Sequence, residues 1–384
     1  MADDTSAASA DGDRIGLVVV EDIAKAYDFG EGHPLRPERV LITYERIRGL
    51  GFTSSRRVIE IPSRSAGDPE ILAVHDEDFV STVKGIDSGD VEQLLGLEYG
   101  LGTPDDPIFD RMHQASAAVA GASIVAAEAV AIGRVEHAFN PAGGLHHARR
   151  REASGFCIYN DPAAAIAKVL EIHPEWRVLY LDVDVHHGDG VQWIFYEDPR
   201  VLTVSLHESG RYLYPGTGFE EETGVDDALG SSVNVPLPPY TGDADYLWAL
   251  DRVLPAVADA FSPDLIVTQL GGDTHHGDPL AHLALTMRAY PTMARLIHEV
   301  AGELCDNRWV ATGGGGYQAE TVVPRIWTIH FAEMCDSSDL IPLEWLNDLA
   351  PEDVSRPARD VVERSVETVL AGCLPRLRDL AAVD

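Results

Sequence analysis

The segment Tyr180 to Gly190, YLDVDVHHGDG, begins as an apolar run and turns abruptly polar. In an extended chain successive side chains point to opposite faces, so Asp182, Asp184 and His186 project to one side. Two carboxylates and an imidazole in one place are costly to desolvate unless a cation compensates them, and a divalent metal suits this ligand set. The alternative interpretation is a solvated turn, because Asp and Gly are also ordinary turn residues.

Three further polar clusters rich in glycine follow apolar runs elsewhere in the chain. Ligands of open α/β sheets bind at the carboxyl ends of the strands, so four such clusters at neighbouring strand ends would build one shared pocket. The additional clusters are Gly143 to His147, Gly271 to Asp273, and Gly313 to Tyr317.

Asp273 can join Asp184 and His186 as a third ligand if its strand neighbours theirs. Three protein ligands with room for water are the arrangement of a catalytic metal site rather than a closed structural one. A bound metal would lower the pKa of a water and polarise a carbonyl oxygen. The ligands therefore predict hydrolytic chemistry that still needs a base and a second electrophile.

The adjacent imidazoles of His146 and His147 are the candidate bases. Asp182 and Asp189 remain available as carboxylate partners that would set the tautomer of each imidazole and raise its basicity. Tyr317, presented by a glycine run, could donate its hydroxyl to a developing oxyanion. Together these residues predict metal-assisted hydrolysis of an amide or ester.

The elements that must position these residues alternate regularly from residue 137 onward. Short apolar runs without polar alternation are typical of strands buried on both faces, and helical stretches separate several of them. The pattern predicts an α/β fold with a central, mostly parallel sheet flanked by helices, in a single domain over residues 15–384. The predicted strands are His137 to Asn140, Val178 to Asp184, Val201 to His207, Leu265 to Gly271 and Trp309 to Gly313.

The composition of the 384-residue chain is strongly acidic, with 63 Asp and Glu against 29 Lys and Arg and a formal net charge of -34. Such a surface repels phosphate backbones and anionic lipid, so neither nucleic acid nor a membrane is an expected partner. The charge could instead favour cationic substrates. Adaptation to a salt-rich cytoplasm explains it equally well without any partner.

The remaining regions indicate a cytoplasmic protein. Residues 1–14 are acidic and rich in small residues, unlike a signal peptide, and predict a disordered tail. The Ala-rich stretch from Ala115 to Gly133 is interrupted by Glu128 and predicts a buried helix rather than a membrane span. The four cysteines are scattered without a CxxC pair, which favours a reduced, intracellular protein. No pattern indicates an oligomeric state.

The motifs resemble those of the histone deacetylase superfamily, and within it the bacterial and archaeal acetoin-utilisation deacetylases. The resemblance covers most of the chain, in order and at compatible spacing. Besides the four clusters above, the matching segments are His33 to Arg39, Tyr99 to Gly102, Glu152 to Cys157, Tyr214 to Gly218, Gly272 to His275 and Asp278 to Leu280.

This resemblance implies an arginase/deacetylase-like fold and a metal held by the same three ligands, usually Zn²⁺, although Fe²⁺ suits the mixed N/O set. It implies that His146, backed by Asp182, polarises the water. His147, backed by Asp189, is the implied general base that later protonates the leaving amine. The implied role of Tyr317 is to bind the acetyl oxygen.

Further roles rest on the resemblance alone. Gly155, Phe156 and Tyr214 match positions of the acyl-lysine tunnel, and Arg36 matches a residue of the internal cavity through which acetate leaves. A structural K⁺ is also implied, near Asp182, Asp184, His186, Ser205 and Leu206.

The rim of the tunnel departs from the family pattern. Eukaryotic relatives carry an acidic residue there that grips the substrate backbone, whereas this chain has a shorter loop with two candidates, Asp105 and Asp106. His187 is interpreted as a structural, hydrogen-bonded histidine because it points away from the metal ligands. The acidic run Glu220 to Glu222 is interpreted as a solvated loop.

The predicted function is hydrolysis of acetyl-lysine in proteins, with release of acetate and free lysine. Deacetylation of a small amine such as an acetylpolyamine is the close alternative. A catalytically inactive acyl-lysine binding module is a weaker alternative because the expected active-site positions are filled. An arginase-type ureohydrolase is disfavoured because no second Asp follows Asp273 two residues later.

Overall fold

The computed structural model describes residues 14–20, 25–349 and 359–381. The predicted tail therefore lies outside the described residues, apart from Arg14. The strands of the described part are β1 (Ile15–Val19), β2 (Val58–Pro62), β3 (His137–Asn140), β4 (Val178–Asp182), β5 (Val201–Glu208), β6 (Ser232–Leu237), β7 (Leu265–Gln269) and β8 (Trp309–Thr312). All eight form one parallel sheet in the order β2-β1-β3-β8-β7-β4-β5-β6.

Helices cover both faces of this sheet, since β3, β4, β5, β6, β7 and β8 are buried along their whole length. One set of packed helices contains α1, α7, α8, α9 and α10, and another contains α4 and α5. The helices are α1 (Glu38–Gly49), α2 (Asp68–Leu72), α3 (Glu77–Ser88), α4 (Met112–Ala131), α5 (Asp161–Ile172), α6 (Asp189–Ile194), α7 (Asp243–Phe261), α8 (Ala289–Leu304), α9 (Val323–Met334) and α10 (Arg359–Ala381).

The predicted strands all form, and the predicted class is confirmed. β3 has the predicted bounds. β4 and β7 end two residues earlier than predicted, at Asp182 instead of Asp184 and at Gln269 instead of Gly271, and β8 ends one residue earlier, at Thr312 instead of Gly313. The residues that follow these strands include Asp184 and Asp273, whose side chains lie in the site described below. The predicted site residues therefore follow the ends of the strands directly.

Helix α4 contains the Ala-rich stretch. Among the described residues it is the one helix long and apolar enough to cross a membrane, and 83% of its most apolar window is buried inside the protein. Its small side chains allow close packing against α5 and against β1, β3 and β8. It is therefore a core helix, as predicted.

His330 in α9 is buried, and neither of its ring nitrogens has a hydrogen-bond partner among the described residues. Burial lowers the pKa of His330 to about 3, so the ring is neutral. Leaving a buried polar group unpaired costs about 1–3 kcal/mol, so we expect His330→Leu to raise the free energy of unfolding by about that amount. Urea denaturation measures this quantity.

The matched control is His298→Leu, because His298 is hydrogen-bonded to His137 through the two Nε2 atoms at 3.2 Å. That substitution removes a partner and should destabilise the protein. A His330→Leu variant that is less stable than the wild type would show that this ring contributes favourable contacts.

Candidate active site and metal centre

The side chains predicted to carry the chemistry meet at the carboxyl edge of the four central strands. β3, β8, β7 and β4 are neighbours in the sheet, and all of them run in the same direction. Because the carboxyl ends of parallel strands lie at one edge, the loops after these strands converge there. The loops carry His146 and His147 after β3, Tyr317 after β8, Asp273 after β7, and Asp184 and His186 after β4.

Asp184, His186 and Asp273 form a buried group whose ligand atoms all lie within 4.8 Å of one another. The Nδ1 of His186 is 3.0 Å from Oδ1 of Asp184 and 3.3 Å from Oδ2 of Asp273. The main chain supports the group, because the Asp273 Oδ1 accepts a hydrogen bond from the Val185 amide at 2.9 Å. Three donors are thus fixed in position.

The group fits a divalent metal. The Oδ2 of Asp273 is buried without a hydrogen-bond partner among the described residues. Burial, together with the charge of Asp184, raises the pKa of Asp273 to about 6. Although burial opposes it, the two carboxylates raise the pKa of His186 to about 10. Both shifts show that the group needs positive charge, and one imidazole with two carboxylates is a ligand set that binds divalent metals.

His146 and Asp182 form a buried pair beside this group. The His146 Nδ1 is 2.7 Å from the Asp182 Oδ2, and that oxygen also accepts the hydroxyl of Tyr180 at 2.7 Å. Burial lowers the pKa of His146, but the charges of Asp182 and Asp184 outweigh it and raise the pKa to about 9. The two carboxylates therefore favour the protonated form of His146.

His147 forms the second imidazole–carboxylate pair, with its Nδ1 2.7 Å from Oδ1 of Asp189. Burial and the neighbouring His146 cation lower the pKa of His147 to about 4. The Nε2 atoms of the two histidines lie 3.1 Å apart. With Nδ1–H directed to Asp189, the Nε2 of neutral His147 carries a lone pair that faces the Nε2 of His146 and can accept a proton.

Tyr317 borders both the open cavity above the histidines and a small cavity of about 10 Å³ below them. Its amide donates to the Asp278 Oδ2 at 2.8 Å, which fixes the end of the glycine run. Burial raises the pKa of the Tyr317 hydroxyl well above its usual value. The hydroxyl thus keeps its proton and can donate it in a hydrogen bond.

The open cavity has a volume of about 240 Å³ and leads from the surface to His147, His186 and Tyr317. Its walls include Phe156 and Tyr214, together with Leu213 and Leu280. Mostly apolar walls around a few polar groups are typical of a small-molecule or side-chain binding site. We call this cavity the tunnel.

The wall of the tunnel has a left-handed backbone at Gly155 and Phe156, where φ is +54° and +70°, and this conformation is strained for Phe156. A Cβ on Gly155 would lie 2.4 Å from the ring of His147, so only glycine brings this wall so close. The Phe156 carbonyl is held by the hydroxyl of Tyr27 at 2.8 Å. Such strain is typical of ligand-binding sites.

The comparison with known families decides the assignment. The histone deacetylase domain matches residues 33–334, which include every residue of the site. The chain belongs to the histone deacetylase family. It is therefore a hydrolase of that family, whose fold indicates a metal cofactor, and the predicted resemblance is confirmed.

Curated relatives support the same assignment. The acetoin utilization protein AcuC of Bacillus subtilis is 42% identical over 84% of this chain and 83% of its own length. AcuC of Staphylococcus aureus strain MSSA476 is 37% identical over 86% of this chain and 85% of its own length.

Solved structures agree with the predicted deacetylase-like fold. A histone deacetylase homologue complexed with SAHA superposes with a TM-score of 0.80 at 30% identity, covering 93% of this chain and 99% of that one. The homologue from Aquifex aeolicus gives a TM-score of 0.79 at 31% identity, with the same coverage.

The rim of this deacetylase-family tunnel contains one of the two candidate carboxylates. Asp105 lines the tunnel. Asp106 is 2% exposed, and burial raises its pKa to about 8. Asp105 is thus the rim candidate, and Asp106 belongs to the interior of the loop.

The prediction that Arg36 lies in the internal cavity is wrong. Its side chain is 47% exposed and pairs with Glu38 at 3.1 Å and with Glu320 at 3.6 Å. Arg39, in the first turn of α1, lines the small cavity instead, and its Nη1 donates to the Gly314 carbonyl at 2.7 Å. Arg36 precedes the helix in a Pro-bounded loop that faces solvent, whereas the helical turn directs Arg39 toward the glycine run.

Glu222 is a residue that supports a loop of the tunnel wall, and the sequence analysis missed it because the acidic run was interpreted as solvated. Its Oε1 accepts from the Gly218 amide at 2.9 Å, and its Oε2 accepts from the Gln192 side chain at 2.8 Å. Gln192 also bonds the Nε2 of His187 at 3.1 Å, as expected for a structural histidine. Glu222 thereby holds the loop that carries Tyr214. No local sequence pattern marks this role.

Arg149 was missed as well. Its Nη2 lies 2.9 Å from the Asp189 Oδ2, while the other oxygen of this carboxylate faces His147. Burial raises the pKa of Asp189, but the hydrogen bond to His147 outweighs it, with a smaller contribution from the charge of Arg149, and the pKa falls to about 2. Arg149 therefore helps to keep the partner of His147 ionised. Its position two residues after His147 was the available signal.

A second group with metal-ligand composition, His275, His276 and Asp348, lies beside the site. The His275 Nδ1 accepts a hydrogen bond from the Gly277 amide at 3.1 Å, so its proton is on Nε2. That Nε2 lies 2.7 Å from the Asp348 Oδ2 and donates to it. His275 therefore has no free lone pair for a metal. Its hydrogen bond to Asp348 instead joins the loop after β7 to the segment that carries Asp348.

Proposed function

We propose that this protein hydrolyses the acetyl amide of acetyl-lysine side chains in proteins and releases acetate and free lysine. The observation that supports this most is the tunnel, whose inner end presents His147, His186 and Tyr317 together. An extended, uncharged acyl-lysine side chain suits its apolar walls. A hydrolytic set at the inner end would act on the amide.

The proposed cofactor is Zn²⁺, held by Asp184, His186 and Asp273, and Fe²⁺ suits the same donors. When bound, such a metal lowers the pKa of water and polarises a carbonyl oxygen. A structural K⁺ near Asp182, Asp184, His186, Ser205 and Leu206 remains a proposal. In its favour, β4 and β5 pair Asp182 directly with Ser205.

The proton transfers are assigned to His147. Its neutral Nε2 would accept the proton of the attacking water, and Asp189 would stabilise the resulting imidazolium through Nδ1. The same nitrogen would then protonate the leaving lysine amine. His146, held by Asp182, would orient the water and supply positive charge. Its Nε2 lies 3.1 Å from the Nε2 of His147, so both nitrogens would be near the same water.

The acetyl carbonyl oxygen is assigned to Tyr317, whose hydroxyl would donate to it as negative charge develops. The methyl group would enter the small cavity of about 10 Å³ below the histidines, which is about the smallest space that holds one water. In this proposal the small space favours an acetyl group over longer acyl chains.

The experiment that tests the function is acetate release from an acetyl-lysine peptide by the metal-loaded protein. We expect release that a hydroxamate inhibits. Overpacking costs about 1–3 kcal/mol, so propionyl-lysine and butyryl-lysine peptides should react roughly tenfold or more slowly for each added methylene. Absence of acetate release from the acetyl-lysine peptide would contradict the proposal.

Hydrolysis of an acetylpolyamine is the second candidate, because the Asp105 carboxylate at the tunnel rim could bind the cationic end of a small amine. The ratio of kcat/KM for acetylspermidine and acetyl-lysine peptide separates the two functions. Turnover of the amine alone would replace the protein substrate. Tight peptide binding with no turnover of either compound would indicate an inactive binding module.

A further inference from the structure

The loop of residues 143–149, which carries His146 and His147, follows β3 without joining any strand or helix. Its backbone polar groups must therefore find partners elsewhere. The side chain of Asn160 supplies two of them, since its Nδ2 donates to the His146 carbonyl at 3.1 Å and to the Ala148 carbonyl at 2.9 Å. These carbonyls flank His147 on both sides.

Asn160 also begins helix α5. Its Oδ1 accepts a hydrogen bond from the Ala163 amide at 2.9 Å, which is the interaction of a helix N-cap. One fully buried side chain thus bonds the catalytic loop with its nitrogen and the helix with its oxygen. The orientation of the amide is determined by this division of donors and acceptors.

Two neighbours of Asn160 hold the rest of the loop. The Asp161 carboxylate accepts from the Gly144 amide at 3.0 Å and from the Leu145 amide at 2.8 Å. The His75 Nε2 accepts a hydrogen bond from the backbone amide of Asn160 at 3.0 Å. The proton of this ring is therefore on Nδ1, which donates to the Arg149 carbonyl at 2.9 Å. Burial lowers the pKa of His75 to about 4, which keeps this ring neutral.

Gly190 in α6 packs against this contact between Asn160 and the loop. A Cβ at Gly190 would lie 2.4 Å from the carbonyl oxygens of both His146 and Ala148, and 2.8 Å from the Asn160 Nδ2. No side chain fits there. On the side of these two carbonyls the loop is therefore packed closely against α6 and the first residues of α5.

We propose that Asn160 is a positioning residue for catalysis, which sets the backbone of His146 and His147 through their flanking carbonyls. This inference rests on the proposed function, in which His147 transfers the protons. Because a displacement of about 1 Å at a reacting group can cost about 10²-fold in rate, loss of the two donors should reduce kcat. Substrate binding should change little, since Asn160 does not line the tunnel.

The test compares three substitutions in the metal-loaded full chain. Asn160→Ser and Asn160→Asp keep an oxygen that can cap α5, while Asn160→Ala removes it. All three remove the two N–H donors of the Asn160 side chain. We expect kcat to fall about 10-fold to 10²-fold in all three, with KM within about 2-fold of the wild type. The Tm should fall further in Asn160→Ala than in Asn160→Ser, because only the Ala variant loses the cap of α5.

A second measurement does not depend on turnover. In the metal-loaded wild type, the Nδ1 protons of His146 and His147, bonded to buried carboxylates, should give low-field imidazole resonances in proton NMR. Asn160→Ser should shift or broaden them, which would support the inference even if the peptide is not the substrate. Unchanged resonances together with unchanged kcat in Asn160→Ser would overturn it. A wild-type protein inactive on acetyl-lysine contradicts only the proposed function.

Discussion

Replacing Tyr317 by Phe should lower kcat by about 10²-fold to 10³-fold, which is the usual loss when one oxyanion donor is removed. The substitution deletes only the hydroxyl, and the ring can keep its edge-to-face contact with Phe156 at 5.7 Å. The binding of a hydroxamate and the KM for the peptide should change little, because the donor acts mainly on charge that develops in the transition state.

The matched control is Tyr212→Phe. Tyr212 is 62% exposed and does not line the tunnel, so the same chemical change should leave kcat unaltered. Steady-state kinetics on both variants, with isothermal titration of a hydroxamate, measure the effect. Unchanged turnover in Tyr317→Phe would remove Tyr317 from the mechanism.

The parts of the site that were predictable lie in contiguous segments whose strands are fully buried. A short apolar run followed by glycine and ligand residues defines both the strand end and the chemistry, as in Val178 to His186. Because four such runs are neighbours in a parallel sheet, the convergence of the site followed from sequence order and general rules of sheet topology. Each residue role within the converged site stays a proposal.

Other parts of the fold were harder to predict because their patterns are mixed. β2 is short and partly exposed, and β6 contains Asn234 and Pro236 within a buried strand. Asn234 is buried because its amide donates to the Gln192 side chain at 2.7 Å and to the Glu222 carbonyl at 2.9 Å. A strand whose polar residue is satisfied by tertiary contacts cannot be recognised by hydrophobicity.

The supporting contacts were unpredictable for a related reason. Asn160 reads as an ordinary N-cap, and Glu222 as one acid among many, because the atoms they contact come from distant loops. The error at Arg36 has another origin, since a three-residue difference decides between a solvent-facing loop and the inner face of a helix. The sequence resemblance identified the correct segment, but only the helical geometry shows that Arg39, and not Arg36, lines the small cavity.

Replacing Asp273 by Asn should abolish tight metal binding and lower activity by more than about 10³-fold. The substitution removes the charge of one of three ligands and leaves the shape of the side chain nearly unchanged. In the wild type the backbone amide of Val185 donates to the Asp273 Oδ1 at 2.9 Å, and the side-chain oxygen of an Asn could accept the same hydrogen bond. The loop should therefore keep its fold. Metal analysis after dialysis should find about one ion per wild-type chain and close to none in the variant.

The matched control is Asp348→Asn, in the second group of possible ligands. Since the His275 Nδ1 accepts from Gly277 and its Nε2 donates to Asp348, this group offers no complete ligand set. The control should therefore keep about one ion per chain. A wild-type content near two ions that falls to one in Asp348→Asn would show that the histidine pair changes its hydrogen bonds to bind metal. Retention of the ion in Asp273→Asn would mean that Asp184 and His186 hold it without the third carboxylate.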